Sequence, residues 1–166
     1  MLTDSGSFFT LKAMQKKISL LFLCTGNSCR SQMAEGWTRH LKGDLFTVYS
    51  AGIETHGLNP MAVRVMAEVG VDISGQKSQH IGDFRDVPLD LIITVCGHAH
   101  ETCPFFPGTT RVIHVGFDDP PKMAQQLAGQ GAGPEEQLDC YRQVRDAIKE
   151  FILSLPQGLE EMEKPE

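Results

Sequence analysis

Two cysteines in one short polar loop, and two more further along the chain, are the residues here whose types and spacing could do chemistry. The loop is Cys24-Thr-Gly-Asn-Ser-Cys-Arg-Ser31. It follows the apolar run Ile18–Leu23 and opens a helical pattern near Ser31, so a strand, a tight loop and a helix N-terminus meet at the Cys24 thiol. Five residues separate Cys24 from Arg30, a spacing that can wrap a loop around a tetrahedral oxyanion. The amides of Thr25, Gly26, Asn27, Ser28 and Cys29, with the unpaired N–H groups of the helix's first turn, would point inward. Gly26 is expected to let the backbone turn tightly. Arg30 adds a planar fork of donors suited to bidentate oxyanion contact. The same positive potential favours thiolate over thiol at Cys24, so one cradle would bind the anion and activate the nucleophile.

Cys96 and Cys103 are separated by Gly-His-Ala-His-Glu-Thr, which has no apolar periodicity and reads as a loop. Such a loop could let Cys103 swing to Cys96 and close a disulfide, given Cα atoms within about 7 Å. If Cys96 also reaches Cys24, oxidation can pass outward from a buried nucleophile to an accessible pair. Asp119, in Phe117-Asp-Asp-Pro120, is a candidate general acid for a departing oxygen. Its competing reading, with Asp118, is as an ordinary turn residue before proline. Cys29 is read as structural and Cys140 as a small buried hydrophobe. Cys96, His98, His100 and Cys103 could instead ligate zinc, although their spacing is tighter than in finger patterns.

Elements that position these groups follow from periodicity. Ile18–Leu23 and Leu89–Cys96 read as buried strands, Leu45–Ser50 and Arg111–Val115 as shorter ones. Met33, Ala34, Trp37 and Leu41 recur at helical spacing up to Gly43. Asn59-Pro60 is an N-cap with proline at the first helical position, and that helix runs to Val69. Val71 to Asp86 is mixed and polar, with a helical turn near Ile81. Residues 122–133 are rich in Gly, Ala and Gln, and Gly129 to Gly133 reads as flexible. A last helix from Pro134 places Leu138, Tyr141, Val144, Ile148, Ile152 and Leu155 on one face, ended by Pro156. Alternating strands and helices imply an α/β fold: a four-stranded parallel sheet with helices on both faces. Cys24, Cys96 and Asp119 then fall at the carboxyl edge, where such sheets bind ligands.

The chain of 166 residues suits one domain: a poorly ordered extension over 1–16, a single catalytic domain over 17–156 and an acidic tail over 157–166. A net charge of −6 argues against nucleic acid or an anionic membrane as partner. No run approaches the roughly 18 apolar residues of a membrane span. The first residues do not follow the order of a secretory signal, so a cytoplasmic protein is expected. An odd number of cysteines, five, favours reactive thiols over a disulfide framework.

The Cys24–Ser31 loop, Tyr49-Ser-Ala-Gly-Ile-Glu-Thr-His-Gly-Leu-Asn-Pro60, the Cys96/Cys103 pair and Phe117–Pro120 together resemble the thioredoxin-coupled arsenate reductases, which share the low-molecular-weight protein tyrosine phosphatase fold. The resemblance spans about residues 17–155, and the Cys96/Cys103 pair separates it from the phosphatases. It implies that Cys24 attacks arsenate held by Arg30 and the loop amides, that Ser31 hydrogen-bonds the thiolate, and that Asn27 holds the loop's shape. Asp119 would protonate the departing hydroxyl. Cys96 would then attack Cys24, and Cys103 would attack Cys96, leaving a disulfide for thioredoxin. It implies no metal or organic cofactor and a monomeric enzyme. Some members hold potassium beside the loop with groups matching Asn27, Glu35 and Ser50, plus a threonine and an aspartate. Here those last two positions are Lys77 and Gln79, so the Lys77 ammonium, paired with Glu35, is expected in the ion's place.

A phosphatase would use the same Cys24, Arg30 and Asp119. However, Pro121 and Lys122 follow the Asp-Pro pair, and residues 51–60 offer no aromatic wall to clasp a phosphotyrosine ring. A non-catalytic thiol or metal sensor would leave the Cys24 loop without a purpose.

Overall fold

The computed structural model describes residues 16–104, 106 and 108–162, so the expected extension over 1–16 lies almost wholly outside the described residues. Strands β1 (Ile18–Cys24), β2 (Phe46–Gly52), β3 (Leu91–Thr94) and β4 (Arg111–His114) form one parallel sheet in the order β2-β1-β3-β4. Leu20, Leu21, Phe22 and Leu23 of β1 are fully buried on both faces, which is why this strand reads as an unbroken apolar run. Its neighbours supply Ile92 and Ile93 from β3 and Phe46 from β2, all buried.

Helix α1 (Arg30–Lys42) crosses from β1 to β2, and α2 (Pro60–Glu68) leaves β2. Helix α3 (Gly97–Thr102) joins β3 to β4; α4 (Pro120–Gly129), α5 (Pro134–Leu153) and α6 (Gln157–Met162) follow. The long α5 packs against α1, α2 and α4 through Leu138, Tyr141, Val144, Ile148 and Ile152. Trp37 of α1, buried, donates through Nε1 to the Arg145 carbonyl of α5 at 3.1 Å, tying the two helices. Because crossovers are right-handed, the reversal of direction after β2 puts α1 and the β3–β4 connection on opposite faces. The reversal also makes a crevice beyond the carboxyl ends of β1 and β3. That crevice positions the site.

The α/β parallel sheet is as the residue pattern implied; four segments differ. The third strand is Leu91–Thr94 rather than 89–96, because Asp90 is engaged at the strand's start: its N–H donates to the Ser19 carbonyl and its carboxylate accepts from Ser19 N. Residues 97–102 are helix rather than loop. They follow Cys96, whose Sγ accepts from Ala99 N at 3.4 Å, and Ala99 is buried. Residues 120–129, to which the residue pattern assigned no element, form α4, with Asp119 at its N-cap position and Pro120-Pro121 in the first turn. Ala124, buried, anchors it. The prolines were the missed signal, the same one that marks Asn59-Pro60. Residues 157–162, expected to fray, are helical, with Leu159 buried.

Candidate active site

Cys24 ends β1 and Cys96 follows β3, and the two strands are hydrogen-bonded neighbours, with Val95 N donating to the Leu23 carbonyl at 2.9 Å. Both thiols are buried, 4 % and 7 % exposed. Thr25 Oγ1 lies 3.3 Å from Cys96 Sγ, so the loop after β1 touches the second cysteine directly.

The loop is held from outside. Carbonyls of Cys24, Thr25, Gly26 and Ser28 accept from the amides of Ile53, Glu54, His56 and Asn59, and the Gly26 carbonyl also accepts from Ser78 Oγ. Among the described residues no amide from Thr25 to Cys29 donates to a backbone acceptor. With its carbonyls committed outward, the loop keeps its N–H groups for an anion. The tight turn expected at Gly26 falls instead at Asn27, the one non-glycine residue with positive φ (47°) among those described. Gly26 is required for space: a Cβ there would run into the His56 ring. Gly52 is required for the same reason, since its Cβ would lie 2.7 Å from Asn27 N.

Asn27 tolerates the left-handed conformation because its side chain is fully used. Its Oδ1 accepts from Gln79 N at 2.7 Å and from Gln32 Nε2 at 3.1 Å, which fixes the amide's orientation. Its Nδ2 then donates to Ser31 Oγ and to Ser50 Oγ, both at 2.9 Å. Ser31 Oγ sits 2.9 Å from Cys24 Sγ. Because Asn27 already donates to Ser31, the Ser31 hydroxyl proton is free to donate to the sulfur. Gln32 and Ser78 have no signal in the sequence, because nothing in their spacing links them to the loop; Gln79 enters there only as a position matching a potassium ligand.

Arg30, in the first turn of α1, donates through Nη1 to the Phe117 carbonyl at 3.0 Å, and its Nη2 is 3.8 Å from Asp119 Oδ2. The arginine and the candidate acid are therefore together at the mouth. Beside them a cavity of about 410 Å³ is lined by Arg30, Cys96, Phe117, Asp118 and Met123. Cys103 is half-buried at the far end of α3, and burial pushes its thiol above the ordinary range. Seven helical steps of about 1.5 Å put it roughly 10 Å from Cys96, beyond the reach of a disulfide. His100, between them, faces Thr94 Oγ1 at 3.3 Å and stacks on His114, ring centroids 4.7 Å apart. Cys96, His98, His100 and Cys103 thus do not converge as a metal site, and no group of three or more candidate ligands occurs among the described residues.

Cys29 occupies the N-cap position of α1, 5 % exposed, where burial first and the neighbouring Cys24 second push its thiol far up. Cys140 is buried on α5. Neither is placed as a second nucleophile.

Beside the loop, Ser50 Oγ donates to Glu35 Oε1 at 3.2 Å. Glu35 is met not by the expected Lys77, which is exposed, but by Arg39, one helical turn on, with Nη2 3.3 Å from Oε2. The Lys77 backbone carbonyl instead accepts from Gln32 Nε2 at 3.0 Å. The groups that match a potassium site are turned toward protein donors. The Asn27 amide oxygen, the Lys77 carbonyl and both Glu35 oxygens already face N–H or O–H donors, and Gln79 replaces the carboxylate that would add a ligand.

A family model described as low molecular weight phosphotyrosine protein phosphatase matches residues 19–164. The chain belongs to the low molecular weight phosphotyrosine protein phosphatase family. Within that family its relatives include an arsenate reductase of Halalkalibacterium halodurans, 50 % identical over 139 residues, covering 84 % of this chain and 94 % of the relative. A solved structure described as an arsenate reductase in the intermediate state superposes with a TM-score of 0.65 at 32 % identity, covering 86 % of this chain and 98 % of the other. A thioredoxin-dependent arsenate reductase from Corynebacterium glutamicum shares the fold at 22 % identity and a TM-score of 0.61, over 90 % of this chain and 67 % of that one. The phosphatase-family loop and the extra thiol pair are thus found in one chain.

Proposed function

We infer that the protein is an arsenate reductase that oxidises two of its own thiols in each turnover. The observation that carries this reading is the contact between the Cys24 loop and Cys96, with a third cysteine one short helix further on. Hydrolysis of a phosphoester needs neither Cys96 nor Cys103. Similarity to the arsenate reductases of the family supports the substrate.

In the first step the Cys24 thiolate forms a bond to arsenic while Arg30 and the loop amides hold the oxygens. Asp119 donates a proton to the departing hydroxyl, which leaves as water. Cys96 then attacks the Cys24 sulfur. The sulfur–arsenic bonding pair passes to arsenic, which leaves as arsenite, reduced by two electrons, and a Cys24–Cys96 disulfide remains. Attack by Cys103 on Cys96 returns Cys24 as thiolate and leaves Cys96–Cys103. This last bond needs α3 to unwind, since the helix keeps its ends about 10 Å apart. Unwinding also exposes Cys103 to water, removing the burial that holds it as thiol.

An external dithiol protein of the thioredoxin class reduces the Cys96–Cys103 pair. The thiols supply both electrons, so turnover requires no metal or organic cofactor. The acidic chain works as a monomer in the cytoplasm, and no helix of the described residues is long and apolar enough to cross a membrane.

The test supplies arsenate to fully reduced protein without thioredoxin and maps disulfides by mass spectrometry. One arsenite per protein and a Cys96–Cys103 bond are expected; Cys103→Ser should trap Cys24–Cys96. Turnover of a phosphoester with no disulfide and no arsenite would replace this reading by a phosphatase.

A further inference from the structure

Glu35 is the unexplained group beside the site: a carboxylate with 9 % of its side chain exposed, no substrate to touch, and a hydrogen-bonded path to the nucleophile. The path has no gap. Arg39 faces Glu35 at 3.3 Å, Ser50 Oγ donates to Glu35 at 3.2 Å, Asn27 Nδ2 donates to Ser50 and to Ser31 at 2.9 Å, and Ser31 reaches Cys24 Sγ at 2.9 Å. Every donor in it has its direction set. The Glu35 carboxylate can only accept, so Ser50 spends its proton there and must accept from Asn27. Asn27 cannot turn round, because Oδ1 holds Gln79 N and Gln32 Nε2.

We propose that Arg39 is a positioning residue for the nucleophile: the cation built into α1 keeps Glu35 an acceptor and, through Ser50, Asn27 and Ser31, keeps a hydroxyl donor aimed at Cys24. The inference rests on the reading of Cys24 as nucleophile. Arg39 itself is held outside the site by Gln76 Oε1, which accepts from its Nη1 at 2.9 Å, and Gln76 in turn bonds Gln32. Burial raises the Glu35 carboxyl above its usual range, and Arg39 is the charged side chain that pulls it back down, with Ser50 helping. The protein thereby carries in its own sequence the counter-charge to Glu35.

The readout is the rate at which iodoacetamide alkylates Cys24, followed by peptide mass spectrometry on the reduced protein, with thermal melting of every variant. Loosening the one hydrogen bond that the path aims at the thiolate, at the lower end of what such a bond is worth, changes a thiolate population about threefold. Arg39→Gln should therefore slow Cys24 alkylation at pH 7 about threefold, and Arg39→Lys should restore most of the rate. Guanidinium ion at low millimolar concentration should rescue Arg39→Ala, where sodium ion at equal ionic strength should not. Ser50→Ala interrupts the same path without removing a charge and should also slow alkylation. Adding Arg39→Gln to it should cost little more, the signature of groups acting in series. Native alkylation in a folded Arg39→Gln protein, or full additivity with Ser50→Ala, overturns the proposal. So does a faster wild-type rate in potassium than in sodium chloride. Preferential alkylation of Cys96 or Cys103 over Cys24 in the wild type would instead overturn the nucleophile assignment itself.

Discussion

Asp119 shows how much a residue's role depends on a few ångströms. It has the N-cap position of α4 without making a side-chain cap bond, so its carboxylate is left to face Arg30 at 3.8 Å, 42 % exposed. An uncapped N-cap aspartate gives up on the order of 1 kcal/mol of helix stability, which is consistent with a carboxylate kept for another purpose. Asp119→Asn keeps the size and removes the transferable proton. Single-turnover release of arsenite should fall about 100-fold, measured by rapid quench, because general acid help of this kind contributes at least that much. Restoring the cap should raise the melting temperature of the same variant or leave it unchanged. An unchanged rate in the folded variant would mean that Asp119 is not the acid.

At the scale of elements the decisive piece is α3, six residues long, which meets β3 through His100. Thr94, fully buried in β3, places its hydroxyl between His100 Nδ1 at 3.3 Å and His114 Nδ1 at 2.9 Å. Thr94→Val keeps the shape and removes the hydroxyl. Losing a hydrogen bond worth about 1 kcal/mol should favour the unwound helix about fivefold. Amide hydrogen exchange across Gly97–Thr102 should quicken by that factor, and so should the appearance of Cys96–Cys103 after one arsenate turnover of the fully reduced protein. Faster exchange with an unchanged rate of disulfide transfer would show that unwinding of α3 is not the limiting motion.

For the whole molecule, the helical layer is held partly by charge. Arg142 of α5 binds Glu68 of α2 bidentately, at 2.9 and 2.8 Å, and also Asp139 and Glu135; Arg145 reaches Glu68 at 3.1 Å. Hydrogen bonding to Arg142 holds the Glu68 carboxyl below its usual range. A carboxylate lowered in the folded state contributes stability that is present above its unfolded value of 4.5 and is lost as pH falls through the lower folded value. Glu68→Gln should therefore melt below wild type at pH 7, by no more than about 1 kcal/mol for a partly exposed network. The two melting curves should converge as pH falls below 4.5, the ordinary glutamate value. The opposite trend, a gap that widens in acid, would be incompatible with the ion pair. Glu35 has the reverse sign: its raised carboxyl favours the folded state in acid, and that contribution fades as pH rises above 4.5.

The sequence by itself determined the chemistry and the frame. A short apolar run bounded by turn residues reads as a strand buried on both faces, so Ile18–Cys24 and Leu91–Thr94 were readable from hydrophobicity and length. A strand, a polar loop and a helix start within 14 residues of Ile18 placed Cys24 and Arg30 at the two ends of one loop, because that placement is local. What only the tertiary structure decided were contacts between residues far apart in the chain. Gln79 locks Asn27, Arg30 binds the Phe117 carbonyl, and the polar segment 97–102 becomes a helix stacked through His100 on His114. The physical reason is the same in each case. Hydrophobic periodicity reports where a side chain goes relative to the core, whereas the partner of a buried polar atom depends on which distant atom the fold brings within about 3 Å.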